Sequence, residues 1–188
     1  MSAVTQNTPN FAVGARPTCS APARRASLPS DTSAFARWLA LATVVMVLDQ
    51  ASKAWVLASM HLMERHIVTT FFNLVLVFNP GASFSFLADA GGWQKWFFVV
   101  LALGISVWLL GLLRRHAQER LLPAALSLIL GGAIGNVIDR LRFDAVVDFL
   151  DFHLAGYHWP AFNVADSAIT LGVALMLWHQ FRFAKDSS

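Results

Sequence analysis

The 188-residue chain has little charge and almost no cysteine. Charged residues make up 13% of it, against about 25% in an ordinary soluble domain. One cysteine, Cys19, excludes an intrachain disulfide and a thiolate metal cluster, and it stands in a polar N-terminal stretch as an incidental residue. Glutamate is scarce: Glu64 and Glu119 both fall in loops, so acidic chemistry rests on aspartate. No HExxH, no GxSxG elbow and no phosphate-binding glycine loop occurs. His61 and His66 are five apart, as are His153 and His158, and neither spacing suits a zinc site. No metal or organic cofactor is expected, and no nucleic-acid partner. What is abundant is apolar surface: 56% hydrophobic residues and a mean hydropathy of +0.55. One domain of this size cannot cover such a surface with polar groups, which points to an integral membrane protein rather than a soluble enzyme.

Residues 1–37 are rich in Ala, Pro, Ser and Thr, carry Arg16, Arg24, Arg25 and Arg37, and lack apolar periodicity. They read as a disordered tail. No apolar run begins before Trp38, so the first hydrophobic segment reads as a retained anchor rather than a cleaved signal peptide. Four spans are expected: about Trp38–Met60, Trp96–Leu113, Leu121–Ile138 and about Val164–Phe181. Eighteen helical residues reach roughly 27 Å, close to the hydrocarbon thickness of a bilayer. The membrane domain is then 38–182, with a short C-terminal tail at 183–188. Both termini would share a side with Arg114, Arg115, Arg120, Arg182 and Lys185, while Arg65, Arg140, Arg142 and Lys95 fall on the other. The excess of basic residues places both termini in the cytoplasm and segments 61–95 and 139–163 outside.

The first outer segment, HIVTTFFNLVLVF, is β-branched and aromatic, and Asn79–Gly81 (NPG) is a turn signal. ASFSFL follows with Phe84 and Phe86 alternating with Ser83 and Ser85. This predicts a small β-hairpin on the membrane surface, packed on the helix ends or touching lipid headgroups or a lipidated ligand.

Polar residues within or beside apolar spans are costly and mark function or pairing. Nine aspartates are present, and five of them, Asp139, Asp144, Asp148, Asp151 and Asp166, fall in one short region. In GGAIGNVIDR, Gly131 and Gly135 give small-xxx-small spacing for close helix approach. Asn136, Asp139 and Arg140 share one helical face, either as an interhelical clamp or as contacts to substrate. In VVDFLDFH, Asp148 lies in an apolar run that disfavours its charged form. Asp144, Asp148 and Asp151 are also spaced to form the wet face of a short surface helix. In FNVADS, Asn163 is a candidate N-cap with Asp166 three residues on, where a helix dipole holds an anion. One carboxyl kept neutral and one ionised is the arrangement an aspartyl protease uses. Asp49 and Lys53, four apart on the first span, read as an ion pair, either purely structural or helping to hold the outer pocket.

Taken together, LDQASK at Leu48–Lys53, NPGASF at Asn79–Phe84, GGAIGNVIDR at Gly131–Arg140, VVDF at Val146–Phe149 and FNVADSAI at Phe162–Ile169 resemble the lipoprotein signal peptidase family, the type II signal peptidases of bacteria. The resemblance spans about 38–182. It implies an aspartyl endopeptidase of the cytoplasmic (inner) membrane that cuts prolipoproteins before a diacylglyceryl-modified cysteine. It assigns Asp148 and Asp166 as the catalytic pair, Asn79, Asn136, Arg140 and Asn163 as substrate-binding positions, and Asp49, Lys53 and Asp139 as polar support. It further implies an all-α four-helix membrane fold with a small extracytoplasmic β-cradle, a short surface helix near 143–157, and a monomer whose partners are lipidated prolipoproteins and membrane lipids. Two competing readings remain on the residues alone: a small proton-coupled transporter using Asp49 and Lys53, and a non-enzymatic assembly subunit using the glycine face.

Overall fold

The long apolar runs fold as helices, as their length demands where backbone groups must be satisfied within the segment. The computed structural model describes residues 31–81 and 91–186; the expected tail up to residue 30 and the alternating segment 82–87 lie outside them. Four helices carry the chain: α1 (Asp31–Ser59), α2 (Gln94–Arg115), α3 (Leu121–Phe143) and α4 (Val164–Asp186). α1, α2 and α3 are long and apolar enough to cross a membrane. α4 has 23 residues but does not meet that measure of length and composition; Asp166, His179, Gln180 and Arg182 dilute it.

α1 begins at Asp31, seven residues before the apolar run. Tertiary packing explains the extension: Ala34 is fully buried, and Phe35, Trp38 and Leu39 lie against the cluster Leu109, Leu113, Leu126 and Ile129. Trp38 Nε1 also donates to the Ala117 carbonyl at 2.9 Å.

α3 is the central helix, with α1, α2 and α4 all packed on it. Its glycines make this possible. A methyl group on Gly132 would lie 2.5 Å from the Ala165 carbonyl oxygen of α4, and one on Gly135 would lie 2.5 Å from Asp49 Oδ2 of α1. Gly131 faces Ala42 and Val45 of α1 in the same way. Between apolar helices in lipid there is no water to expel, so close van der Waals contact through small residues is the main source of association. Pro123 sits in the first turn of α3, where its missing N–H leaves no bond unmade. Asp144 ends the helix in the left-handed region at φ 61°.

Among the described residues between the helices is a four-stranded antiparallel sheet in the order β1 (Arg65–Ile67), β2 (Phe72–Asn79), β3 (Val146–Leu154), β4 (Tyr157–His158). β1 and β2 form an antiparallel hairpin that runs up to Asn79, and the neighbour of β2 on its other side is β3, distant in sequence. This corrects one expectation. The short surface helix expected near 143–157 is instead the strand pair β3–β4. The spacing of Asp144, Asp148 and Asp151 fits one helix face, but VVDFLDFHL is rich in β-branched and aromatic residues and has the open edge of β2 to pair with. As a strand it puts Asp148 and Asp151 on opposite faces. Val147 and Phe149 pack with Leu76, Val56 and Met60, fastening the sheet to the end of α1.

A bulge in β2 completes the layout. Asn73 pairs with Asp151 and Asn79 with Val146, with a register shift between Leu74 and Val77. Without the extra residue, Asn73 and Asn79 would share a face, because they are six apart on one strand. The bulge turns Asn73 toward Asp151 and Asn79 toward Asp148.

Candidate active site

The polar residues converge where the sheet meets the ends of α3 and α4. Asn163 stands before the first residue of α4 and accepts from the Asp166 amide at 2.9 Å, while its own amide donates to Asp166 Oδ2 at 3.3 Å. This reciprocal cap satisfies N–H groups that a helix start leaves open. The Asn163 side chain also donates to Asp148 Oδ1 at 2.7 Å. One asparagine therefore touches both aspartates, although 18 residues separate them in sequence. Asn79 donates to the other oxygen of Asp148 at 3.1 Å, and Asn136 donates to Asp166 Oδ1 at 2.8 Å. Arg140 donates to the Gly81 and Asn136 carbonyls and lies over the Phe98 ring at 5.0 Å, while its buried Nε has no partner among the described residues.

Behind these residues lies a second layer, centred on Lys53, whose side chain is 2% exposed. Its ammonium contacts Asp49 at 2.8 Å, Asp139 at 2.7 Å and Asn136 Oδ1 at 3.0 Å. The two carboxylates reach onward to backbone. Asp139 accepts from the Val147 amide at 3.1 Å, one residue before Asp148. Asp49 accepts from the Ala165 amide at 2.9 Å, one residue before Asp166. The cluster thus grips the chain just ahead of each aspartate. Breaking such a buried pair costs about 3–5 kcal/mol because it strands a charge.

Asp148 and Asp166 face one cavity of about 770 Å³, together with Asn79, Asn136 and Arg140. Its far wall is apolar, with Phe98, Leu101 and Ile105 from α2 and Ile169 and Ala174 from α4. Burial pushes the Asp148 carboxyl up to about 7, the neighbouring Asp166 charge adds to the rise, and the bonds from Asn79 and Asn163 only partly oppose it. Asp148 is thus poised to exchange a proton near neutrality. Among the described residues, no group of three or more His, Cys, Asp or Glu side chains is placed to hold a metal ion.

All nine residues that the resemblance assigns belong to this assembly, six at the cavity or bridging it and three behind. Gln50 was not singled out, yet its amide ties Asp49, Asp139 and the Gly135 carbonyl together. Its place beside Asp49 in an apolar span was the available signal. Phe98 and Trp159 also line the cavity, and nothing in their local sequence distinguishes them from other aromatic residues of the chain.

A family model described as signal peptidase (SPase) II matches residues 41–182. The chain belongs to the signal peptidase II family. It is therefore a peptidase. A relative from Azoarcus sp. named lipoprotein signal peptidase is 64% identical over 79% of this chain and 84% of its own length. One of the same name from Janthinobacterium sp. is 50% identical over 81% and 93%. A solved structure described as a bacterial membrane enzyme superposes with a TM-score of 0.73 at 28% identity, covering 81% of this chain and 92% of that one. A second of the same description gives 0.68 at 31% identity, over 77% and 92%.

Proposed function

We propose that this peptidase removes the signal peptide from diacylglyceryl-modified bacterial prolipoproteins, cutting before the lipidated cysteine, with Asp148 and Asp166 as an aspartyl pair. The observation that carries the reading is the single cavity holding both carboxyls, bridged by Asn163. In this reading Asp166, at the start of α4 with donated bonds from Asn136 and Asn163, takes a proton from water. The resulting hydroxide attacks the scissile carbonyl while protonated Asp148 gives its proton to the carbonyl oxygen. Collapse of the tetrahedral adduct passes the proton on Asp166 to the departing amine of the cysteine, returns a hydroxyl proton to Asp148 and leaves a carboxyl on the signal peptide. Arg140 and the asparagines hold the extended segment. Neither metal nor organic cofactor takes part.

The cavity lies between α2 and α4 against α3, and its apolar wall suits acyl chains. Burying them contributes about 0.8 kcal/mol per CH₂, so lipid can anchor substrate with little sequence readout. α4 serves as the fourth span. Its outer face exposes Leu171, Leu177, Trp178 and Phe181, as a lipid-facing helix does, and 23 residues reach roughly 34 Å. The enzyme sits in the cytoplasmic (inner) membrane as a monomer, with both termini cytoplasmic and the sheet and cavity at the outer face. The test is cleavage of matched lipidated and unlipidated prolipoprotein peptides by the purified enzyme. The lipidated peptide is cut, the unlipidated one is not, and Asp148→Asn and Asp166→Asn each lower kcat by about 10²–10⁴-fold. Full activity in either variant would remove the aspartyl reading.

A further inference from the structure

On the face of β3 away from the catalytic pair lies another buried carboxylate, Asp151, 5% exposed. It accepts from Asn73 Nδ2 at 2.8 Å and from His158 Nδ1 at 2.8 Å to one oxygen and 3.0 Å to the other. Burial opposes its ionisation, but the bonds from Asn73 and His158 outweigh that and hold it below the usual carboxylate range. Arg65 of β1 acts on it in the same sense. The His153 ring of β3 stacks on His158 at 4.8 Å. Asn73 Oδ1 is buried without a partner among the described residues, a cost the fold carries while Nδ2 stays on Asp151.

His158 is the last residue of β4, and the chain runs from it into Trp159, Pro160, Ala161 and Phe162, all of which line the catalytic cavity. Asn163, which touches both catalytic aspartates, follows directly. This strap is also hung from β3 by its backbone: Trp159 N–H donates to the Phe152 carbonyl at 2.8 Å, and Phe162 N–H to the Leu150 carbonyl at 3.1 Å. Phe162 stacks on Phe152, with ring centres 5.8 Å apart.

We propose that Asp151 and His158 are positioning residues for substrate binding: their bond fixes the strap Trp159–Phe162 as one wall of the cavity. The inference rests on the peptidase reading, and it locates control of substrate affinity outside the cavity itself. The pair touches neither the substrate nor the catalytic carboxyls, and it acts through the strap.

The test separates kcat from KM for a lipidated prolipoprotein peptide, using the full-length enzyme in detergent micelles. H158F keeps a ring against His153 and loses the donor. H158N loses the ring and keeps an amide donor in the place of Nδ1. H158F raises KM about three- to tenfold, the fold-change of one charge-assisted hydrogen bond partly relaxed, with kcat within about twofold. H158N restores the wild-type KM. An unchanged KM in H158F, a loss confined to kcat, or a rise in H158N equal to that in H158F overturns the proposal. A wild-type enzyme that leaves the lipidated peptide uncut overturns the peptidase reading as well; wild-type cleavage with an unchanged H158F overturns only the positioning role.

Discussion

Asp148 takes its hydrogen bonds from two neutral amides, while the cation Lys53 is spent behind it on Asp49 and Asp139. Burial, with the Asp166 charge beside it, pushes its carboxyl up to about 7, and the two amides and the more distant Lys53 only partly oppose the rise. The sign for catalysis follows. Below this value Asp148 carries a proton and can donate to the scissile carbonyl. As pH rises through about 7 it ionises, the donor is lost and kcat falls. Toward acid, the second carboxyl of the coupled pair also gains a proton and the base is lost. The expected kcat profile is a bell with its alkaline limb near neutrality, unchanged by chelators, measurable by peptide cleavage in mixed buffers. A rate still climbing at alkaline pH would take the acid role away from Asp148. At this scale the sequence was informative because a carboxylate flanked by Val147 and Phe149 has no cheap place in an apolar setting. Asp151, between Leu150 and Phe152, carries the same mark, and only the fold separates the two by placing it on the other face with Asn73 and His158.

Among the elements, α3 decides the geometry, and its glycines are not equivalent to those of α2. A methyl at Gly132 meets the Ala165 carbonyl oxygen at 2.5 Å, whereas Gly104 and Gly111 have open space around them. Gly132→Ala is expected to destabilise the fold by about 1–3 kcal/mol through overpacking against backbone. Gly104→Ala and Gly111→Ala are neutral or slightly stabilising, since alanine is the better helix former. Thermal unfolding in detergent compares the three, and an equal effect at all of them would remove α3 glycine packing as the cause. The helices were legible from length and apolarity; the strand β3 was not. Val146–Leu154 satisfies a strand period and the aspartate spacing of a helix at once, and the deciding partner, β2, lies some 70 residues earlier. The start of α1 was also misplaced, because Ala34 is buried and Phe35 packs on α2 and α3, which no local pattern announces.

For the whole molecule, the two ends differ in kind. At one end Trp38 of α1 bonds the Ala117 carbonyl, and Glu119 meets His179 of α4 at 3.4 Å, so the start of α1, the 116–120 loop and the end of α4 lie together. Arg37, Arg114, Arg115, Arg120 and Arg182 belong to this end. The sheet and cavity occupy the other. The basic excess predicts a cytoplasmic position for the first end. Reporter fusions after Asp186 are expected to be active in the cytoplasm, and fusions after Gly92 to be active outside; an outward C-terminus would overturn the four-span arrangement. The sequence by itself determined the membrane character, the apolar spans, the motifs and the candidate polar residues, because a bilayer makes every ionisable group conspicuous against its surroundings. Only the tertiary structure decided which partners those groups meet. Lys53 finds Asp139, Asn163 finds Asp148, and Asn73 and Asn79 serve opposite faces of one strand. Those pairings depend on glycine-set helix distances and on one bulge in β2. Both are properties of packing between distant segments, where local spacing carries no information.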